Sequence, residues 1–195
     1  GPGAFPISYP NEWDKLTGKN GHGIWLHGTP SSTYSRPPRA TDGCVALTND
    51  DLEGLRRFVQ VGYTPVIITR QASWQTDVEW VQERARFTSA FEAWRRDWES
   101  MDVDRYLSHY SRRFNSESRD YESWAQLKRS VAAGKAFIKV GISNMAAFGY
   151  RAQEEMISVT FEQDYQSSNL SNKIWKRQYW IREGQSWKII YEGAA

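Results

Sequence analysis

The middle of the chain carries apolar side chains at helical spacing. They recur at intervals of four and three residues, which places them on one face of a helix. These residues are Phe87, Phe91, Trp94, Trp98 and Met101. The pattern predicts a long amphipathic helix from about Asp77, with this stripe in the core. Shorter apolar stripes predict two further helices, one capped by Asp102 and one over residues 121–131.

From Phe137 onward the pattern changes to the alternation of apolar and polar residues that is typical of strands. The predicted strands cover residues 137–143, 147–151, 155–165, 173–182 and 187–192. The sequence Glu183-Gly184-Gln185 predicts a hairpin turn before the last strand. Three helices followed by a meander of strands predict an α+β module, in which a curved antiparallel sheet wraps around its helices.

The first part of the chain is rich in residues that favour loops. Residues 1–44 hold half of the 14 glycines and most of the seven prolines. Short apolar runs predict three buried strands, at residues 24–26, 45–47 and 64–69. Thr48, with Asp51 three residues later, predicts the start of a helix that continues to about Val59.

The composition is that of an ordinary globular protein. The 195 residues are 39% hydrophobic and 25% charged, with a formal net charge of +2. These values exclude the collagenous and disordered classes. Basic residues alternate with acidic ones instead of forming the basic face that nucleic-acid binding requires, so we expect no nucleic-acid partner. No run approaches the roughly 18 apolar residues that span a bilayer. We expect two modules, residues 1–76 and residues 77–195.

Cys44 is the one cysteine of the chain, so it cannot form an internal disulfide and is either an inert buried thiol or a reactive one. His27 precedes it with 16 residues between them, and a glycine adjoins each. A cysteine nucleophile needs an imidazole that accepts and returns its proton, and backbone amides that point at an oxyanion. Gly43 permits a sharp turn next to the sulfur, and the Gly28 carbonyl can hold the imidazole in one tautomer.

These residues resemble the signature of the L,D-transpeptidase catalytic domain, the YkuD fold. That signature is a histidine, a spacer of similar length, and then Ser/Thr-His-Gly-Cys. The resemblance covers His27 through Asn49, with the motifs HGTP and DGCVALTN. It implies Cys44 as nucleophile, His27 as general base and then acid, and the Gly28 carbonyl as the group that orients the imidazole. It also implies that the amides of Gly43 and Cys44 bind the oxyanion.

The motif departs from the family at two positions. Asp42 stands where most members have histidine, and Ala46 stands where many have arginine or asparagine. A carboxylate beside Cys44 disfavours the thiolate unless a cation offsets it. We therefore predict an ion pair between Asp42 and Arg39, and we expect Arg36 or Arg39 to reach a substrate carboxylate.

The second module resembles the nuclear transport factor 2-like (NTF2-like) fold in the order of its elements. The combination is similar to the cell-shape-determining L,D-carboxypeptidases of helical bacteria, with about half of the catalytic fold present in this chain. In the module itself, Asp120, Tyr121, Asp164 and Tyr165 are candidates for a catalytic pair by residue type alone. A binding or dimerisation role is the preferred interpretation.

The resemblance implies an enzyme that acts on peptidoglycan tetrapeptide stems in the bacterial cell envelope, with any signal peptide outside this chain. The enzyme would release D-alanine through a cysteine thioester, without a metal or cofactor. Acyl transfer to water would make it an L,D-carboxypeptidase, and transfer to an amine an L,D-transpeptidase. The alternative is a non-catalytic scaffold that binds the cell wall or dimerises through its C-terminal module.

Overall fold

The computed structural model describes residues 3–30, 32, 37, 39–69, 74–116, 119–149 and 155–195, together with the backbone of 150 and 151. The chain divides into two compact units, Gly1–Ser73 and Trp74–Ala195. Each unit has its own sheet. Among the described residues, no helix is long and apolar enough to cross a membrane.

The first unit is built on a small three-stranded sheet. Its elements are β1 (Ala4–Pro6), α1 (Glu12–Leu16), β2 (Trp25–His27), β3 (Val45–Ala46) and α2 (Asn49–Arg56). β2 lies in the middle, antiparallel to β1 and parallel to β3. Thr48 caps α2 by accepting a hydrogen bond from the Asp51 amide, as its position predicts. Leu52 on α2 is fully buried and anchors the helix in this unit.

Two sequence predictions for this unit are wrong. The helix that begins at Thr48 ends at Arg56 instead of Val59. The run at 64–69 does not form a strand, and its side chains at Ile67 and Ile68 are 62% and 69% exposed. A strand needs a partner for its backbone hydrogen bonds, and no described strand lies beside this run. β propensity alone therefore does not decide its conformation.

The second unit joins three helices to a four-stranded sheet. Its helices are α3 (Asp77–Glu99), α4 (Val103–Ser108) and α5 (Tyr121–Ala133). A short hairpin, β4 (Asn115–Ser116) and β5 (Arg119–Asp120), precedes α5. The main sheet consists of β6 (Ile138–Arg151), β7 (Glu155–Ser167), β8 (Ser171–Glu183) and β9 (Ser186–Ala194), antiparallel and in chain order. The predicted α+β architecture, with helices against a curved antiparallel sheet, is confirmed.

Each of these helices begins at a capping residue. Thr76 and Glu79 form a capping box at the start of α3, and Asp102 and Asp120 cap α4 and α5. The predicted strands 137–143 and 147–151 are one strand, β6, whose register shifts between Ser143 and Ala146. Such a β-bulge bends a strand without ending it, which is why the alternation of the sequence breaks there.

The aromatic stripe of α3 forms the centre of the core. Phe87, Phe91, Trp94 and Trp98 are each at most 8% exposed. Phe91 packs edge to face on Phe161 of β7, with ring centroids 5.1 Å apart. Aromatic side chains bury a large area each, so few of them are needed to hold α3 on the sheet.

Candidate functional site

The parallel pairing of β2 and β3 brings the predicted nucleophile and base to the same region. Leu26 lies opposite Val45, and His27 lies opposite Ala46. Cys44 lies directly before β3, so this register brings its backbone close to the end of β2 that carries His27. This arrangement needs only the short parallel register and is independent of the loop between the two strands.

The Cys44 thiol donates a hydrogen bond to the Gly23 carbonyl, with 3.5 Å between sulfur and oxygen. Within the described residues, it makes no hydrogen bond to the His27 ring. Gly43, just before it, has φ +109°, and a Cβ there would stand 2.8 Å from Cδ1 of Ile24. The Thr41 hydroxyl donates to the Cys44 carbonyl at 2.6 Å. The turn into Cys44 therefore requires glycine and is fixed by a threonine of the predicted motif.

The His27 ring is held by the residue that follows it. Its Nδ1 lies 2.6 Å from the Gly28 carbonyl oxygen, so Nδ1 carries a proton, and in the neutral ring Nε2 presents a lone pair. The next amide, that of Thr29, donates to Oδ1 of Asn49 at 2.9 Å. Asn49 stands in the motif DGCVALTN, but the motif alone assigned it no role. Its contact crosses 20 residues, and no local pattern reveals it.

The structure does not show the ion pair that was predicted between the charged residues of this loop. Arg39 and Asp42 are both exposed, and the described structure contains no ion pair between them, so the predicted pair is not formed. Two exposed side chains gain little free energy by pairing in water, which accounts for the difference. A substrate-binding role for Arg39 and Asp42 stays a prediction. Arg36 lies outside the described residues.

No group of three His, Cys, Asp or Glu side chains in the described ranges could hold a metal ion.

A second concave site lies inside the second unit. It is a cavity of about 210 Å³ between α3, α5 and the sheet. Its lining includes Trp98, Tyr106, Lys128, Gln163, Tyr165 and Lys176. Of the four residues that were candidates by type alone, Tyr165 contributes to this lining and Tyr121 is buried in the core, whereas Asp120 is an exposed cap of α5 and Asp164 is exposed on β7.

A buried carboxylate organises the charges around the cavity. Glu192 is 3% exposed, forms an ion pair with Lys176, and accepts hydrogen bonds from Tyr110 and Gln178, both at 2.8 Å. Burial raises the pKa of Glu192, but the charges of Lys176 and Lys128 and these hydrogen bonds outweigh it and lower that pKa to about 2. Glu192 is therefore ionised throughout the neutral range.

Lys128 is the cation of this cavity that burial affects most. Desolvation lowers its pKa to about 8, although the nearby Glu192 charge acts in the opposite direction. Its Nζ lies 4.2 Å from the ring centroid of Trp124, a cation–π contact. Oε1 of Gln163 is buried and has no hydrogen-bond partner among the described residues. The cavity thus combines amines with an acceptor that lacks a donor. Sequence reasoning missed these residues because they lie far apart along the chain.

Both units match known protein families. Residues 86–193 match the Cds6 C-terminal NTF2-like domain, and residues 2–68 match the L,D-transpeptidase catalytic domain, YkuD. The chain also superposes on the structure of Bd1075 from Bdellovibrio bacteriovorus with a TM-score of 0.83 and 30% identity, over 98% of this chain and 70% of that one. The chain belongs to the L,D-transpeptidase family, in the branch with a C-terminal NTF2-like domain.

A further solved structure is similar over nearly the whole chain. It is that of the helical cell shape determining protein Pgp2 from Campylobacter jejuni, with a TM-score of 0.77 and 27% identity. The match covers 97% of this chain and 67% of that one. No curated protein matches the chain. The resemblance to the YkuD and NTF2-like folds is confirmed, and the YkuD match lies within the first unit.

Proposed function

We propose that this L,D-transpeptidase family member opens peptidoglycan stem peptides through a thioester on Cys44, in the bacterial cell envelope. The observation that carries the proposal is the parallel register of β2 and β3, which supports it by bringing Cys44, the residue before β3, close to the strand end that carries His27. The hydrogen bond from His27 Nδ1 to Gly28 supports it, because it leaves Nε2 free to accept a proton. The similarity to a cell shape determining protein agrees with a substrate in the cell wall.

The reaction would begin with transfer of the Cys44 proton to Nε2 of His27. The thiolate then attacks the carbonyl carbon that joins the stem peptide to its terminal D-alanine, and the oxyanion accepts hydrogen bonds from the Gly43 and Cys44 amides. His27 returns the proton to the D-alanine nitrogen as the C–N bond breaks. D-Alanine leaves and the acyl group stays on sulfur. Water or an amine, deprotonated by His27, then attacks the thioester and releases the thiol.

One movement is required before the first step. The thiol donates to the Gly23 carbonyl at 3.5 Å, so the sulfur must turn from Gly23 towards His27. The S–H group is a weak donor, so this contact holds it only loosely.

The test is incubation of the purified protein with a disaccharide-tetrapeptide, followed by mass analysis of the products. A tripeptide product means hydrolysis, and a 3-3 cross-linked dimer means transfer. Cys44→Ala should abolish either product, and Asp50→Ala, an exposed change on α2, should leave it intact. Alkylation of Cys44 by iodoacetamide at pH 7 gives an independent readout, which His27→Ala should reduce. A protein that forms neither product and whose thiol reacts no faster than free cysteine would contradict the proposal.

The cavity of the second unit supports a second function, the binding of an anionic part of the cell wall without catalysis. Lys128 and Lys176 would pair with a carboxylate, and Oε1 of Gln163 would accept from an amide or hydroxyl of the same ligand. A stem peptide carries both kinds of group. This function fits the scaffold alternative and is compatible with catalysis in the first unit. The predicted homodimer has no counterpart in a single chain and stays a prediction.

Titration of the protein with a stem tetrapeptide, followed by tryptophan fluorescence, tests this second function, because Trp98 lines the cavity. Lys128→Met should weaken binding about tenfold or more, since it removes one charge-assisted contact. Lys173→Met, which removes an exposed amine of the same sheet, is the control. Equal affinities of the two variants would exclude the cavity as the binding site.

A further inference from the structure

The peptide unit between Gly28 and Thr29 makes a hydrogen bond at each of its two ends. Its carbonyl oxygen lies 2.6 Å from Nδ1 of His27, and its N–H donates to Oδ1 of Asn49 at 2.9 Å. A peptide unit is planar and rigid, so its C=O and N–H turn together. The Asn49 side chain therefore sets the direction of the carbonyl that the imidazole uses. Rotating the N–H out of its hydrogen bond to Asn49 would also rotate the carbonyl away from His27.

The Asn49 side chain is not needed for the helix on which it sits. α2 already has its N-cap, because Thr48 accepts from the Asp51 amide. Asn49 is the first residue of the helix, and its Oδ1 reaches back to the loop that follows β2. Thr29 is 3% exposed, so the hydrogen bond that its amide donates to Asn49 is shielded from water, where losing such a bond is costly. The contact thus joins the two motifs HGTP and DGCVALTN through one hydrogen bond.

We propose that Asn49 is a positioning residue for the general base: it holds the Gly28–Thr29 peptide so that the His27 ring keeps its proton on Nδ1 and presents Nε2 to the thiol. This inference rests on the proposed role of His27. It assigns Asn49 no contact with the substrate and no proton transfer of its own. Without the Asn49 oxygen the peptide unit can rotate, the Gly28 carbonyl swings away, and the imidazole populates both tautomers and several orientations.

The direct test is the tautomer of His27, measured by ¹⁵N NMR of the histidine rings at pH 8, where imidazoles are largely neutral. The wild type and Asp50→Ala should show His27 with its proton on Nδ1. Asn49→Ala should show a mixture of tautomers, and Asn49→Asp, which keeps an acceptor oxygen in place, should keep the Nδ1–H form. A single Nδ1–H tautomer in Asn49→Ala would overturn the proposal.

The pH profile of Cys44 alkylation gives the functional readout. A positioned base contributes roughly 10²–10⁴-fold, so partial loss of its orientation in Asn49→Ala should slow alkylation at pH 7 about tenfold. Asn49→Asp should stay within about threefold of the wild type, because it keeps the acceptor. If Asn49→Ala does not fold, Asn49→Gln displaces the oxygen by one methylene and should give a smaller shift in the same direction. An unchanged profile in every folded variant contradicts the positioning role.

The two proposals fail in different ways. If the wild-type thiol has ordinary reactivity and His27→Ala does not change it, the proposed thioester chemistry is wrong, while the tautomer spectra still decide the role of Asn49. If the wild-type thiol is reactive and depends on His27 but not on Asn49, only the positioning role is wrong.

Discussion

Lys176→Met should be among the most destabilising single substitutions in the second unit. Lys176 forms an ion pair with Glu192, and their side chains are 12% and 1% exposed. The substitution keeps a side chain of similar length but removes the charge. Glu192 would then be a buried carboxylate with two neutral donors and the more distant Lys128. Breaking a buried pair from one side costs about 3–5 kcal/mol, because the remaining charge has lost water and partner alike.

The matched control is Lys173→Met, three residues earlier on the same strand. Lys173 pairs with Glu162 at 2.9 Å, but its side chain is 58% exposed. Exposed pairs contribute about 0–1 kcal/mol, so this variant should unfold close to the wild type. The pair of variants therefore separates the effect of burial from the effect of removing a lysine.

The assay is unfolding by urea at several pH values, followed by tryptophan fluorescence. The pKa of Glu192 lies at about 2 in the folded protein, below its ordinary value of 4.5. Its contribution to the free energy of unfolding is thus present above pH 4.5 and disappears as the pH falls towards 2. The deficit of Lys176→Met relative to the wild type should be largest at pH 7 and shrink in acid.

A second substitution sharpens the test. Replacing both partners, Lys176→Met with Glu192→Gln, removes the uncompensated charge and should recover about half or more of the lost stability. A single variant that loses less than about 1 kcal/mol would refute the reasoning. So would a deficit that is independent of pH, or a double variant no more stable than Lys176→Met.

Three further outcomes are expected. Gly43→Ala should slow Cys44 alkylation and cost about 1–3 kcal/mol, because φ is +109° and the new Cβ meets Ile24 at 2.8 Å; Gly54→Ala, with open space in α2, should cost nothing in either assay. Since the pKa of Lys128 is about 8 in the folded protein and ordinarily 10.5, the free energy of unfolding of the wild type should rise between pH 8 and 10.5, and Lys128→Met should lack that rise in the same urea titrations. Phe91→Ala should lower the free energy of unfolding by about 3–5 kcal/mol in urea titrations, because its ring is 1% exposed in the core.

The elements that could be predicted from the sequence are those with local causes. α3 follows from the spacing of its aromatic stripe, and it begins at Asp77 as that pattern predicts. The turn at Gly184 follows from its position between two alternating segments, and its φ is +61°. The strand prediction for residues 64–69 was wrong because a strand also depends on a partner strand, which the sequence of a single segment does not specify. The single strand β6 was predicted as two strands because the alternation of the sequence breaks at residues 143–146 and resumes in a new register.

The two candidate sites differ in how far sequence reasoning could reach. Cys44 and His27 stand in a motif whose spacing implies their roles. The cavity is assembled from Lys128 on α5, Gln163 on β7, and Lys176 on β8, none of them within a recognisable pattern. A buried lysine looks like any other lysine until the fold surrounds it. Charges at such positions become informative only after tertiary contacts are known.

The candidate active site is also unevenly constrained. The His27 ring is fixed at 2.6 Å by Gly28, and the peptide that holds it is fixed in turn by Asn49 at 2.9 Å. Within the part of the chain that the structure describes, the hydrogen bond of the thiol is a weak one, to the Gly23 carbonyl at 3.5 Å. Turning the sulfur towards His27 therefore costs little, about 1 kcal/mol or less, whereas turning the ring breaks its shorter hydrogen bond to Gly28. The base defines the geometry, and the nucleophile adapts to it, which is why a substitution at Asn49 should affect thiol reactivity without touching the sulfur.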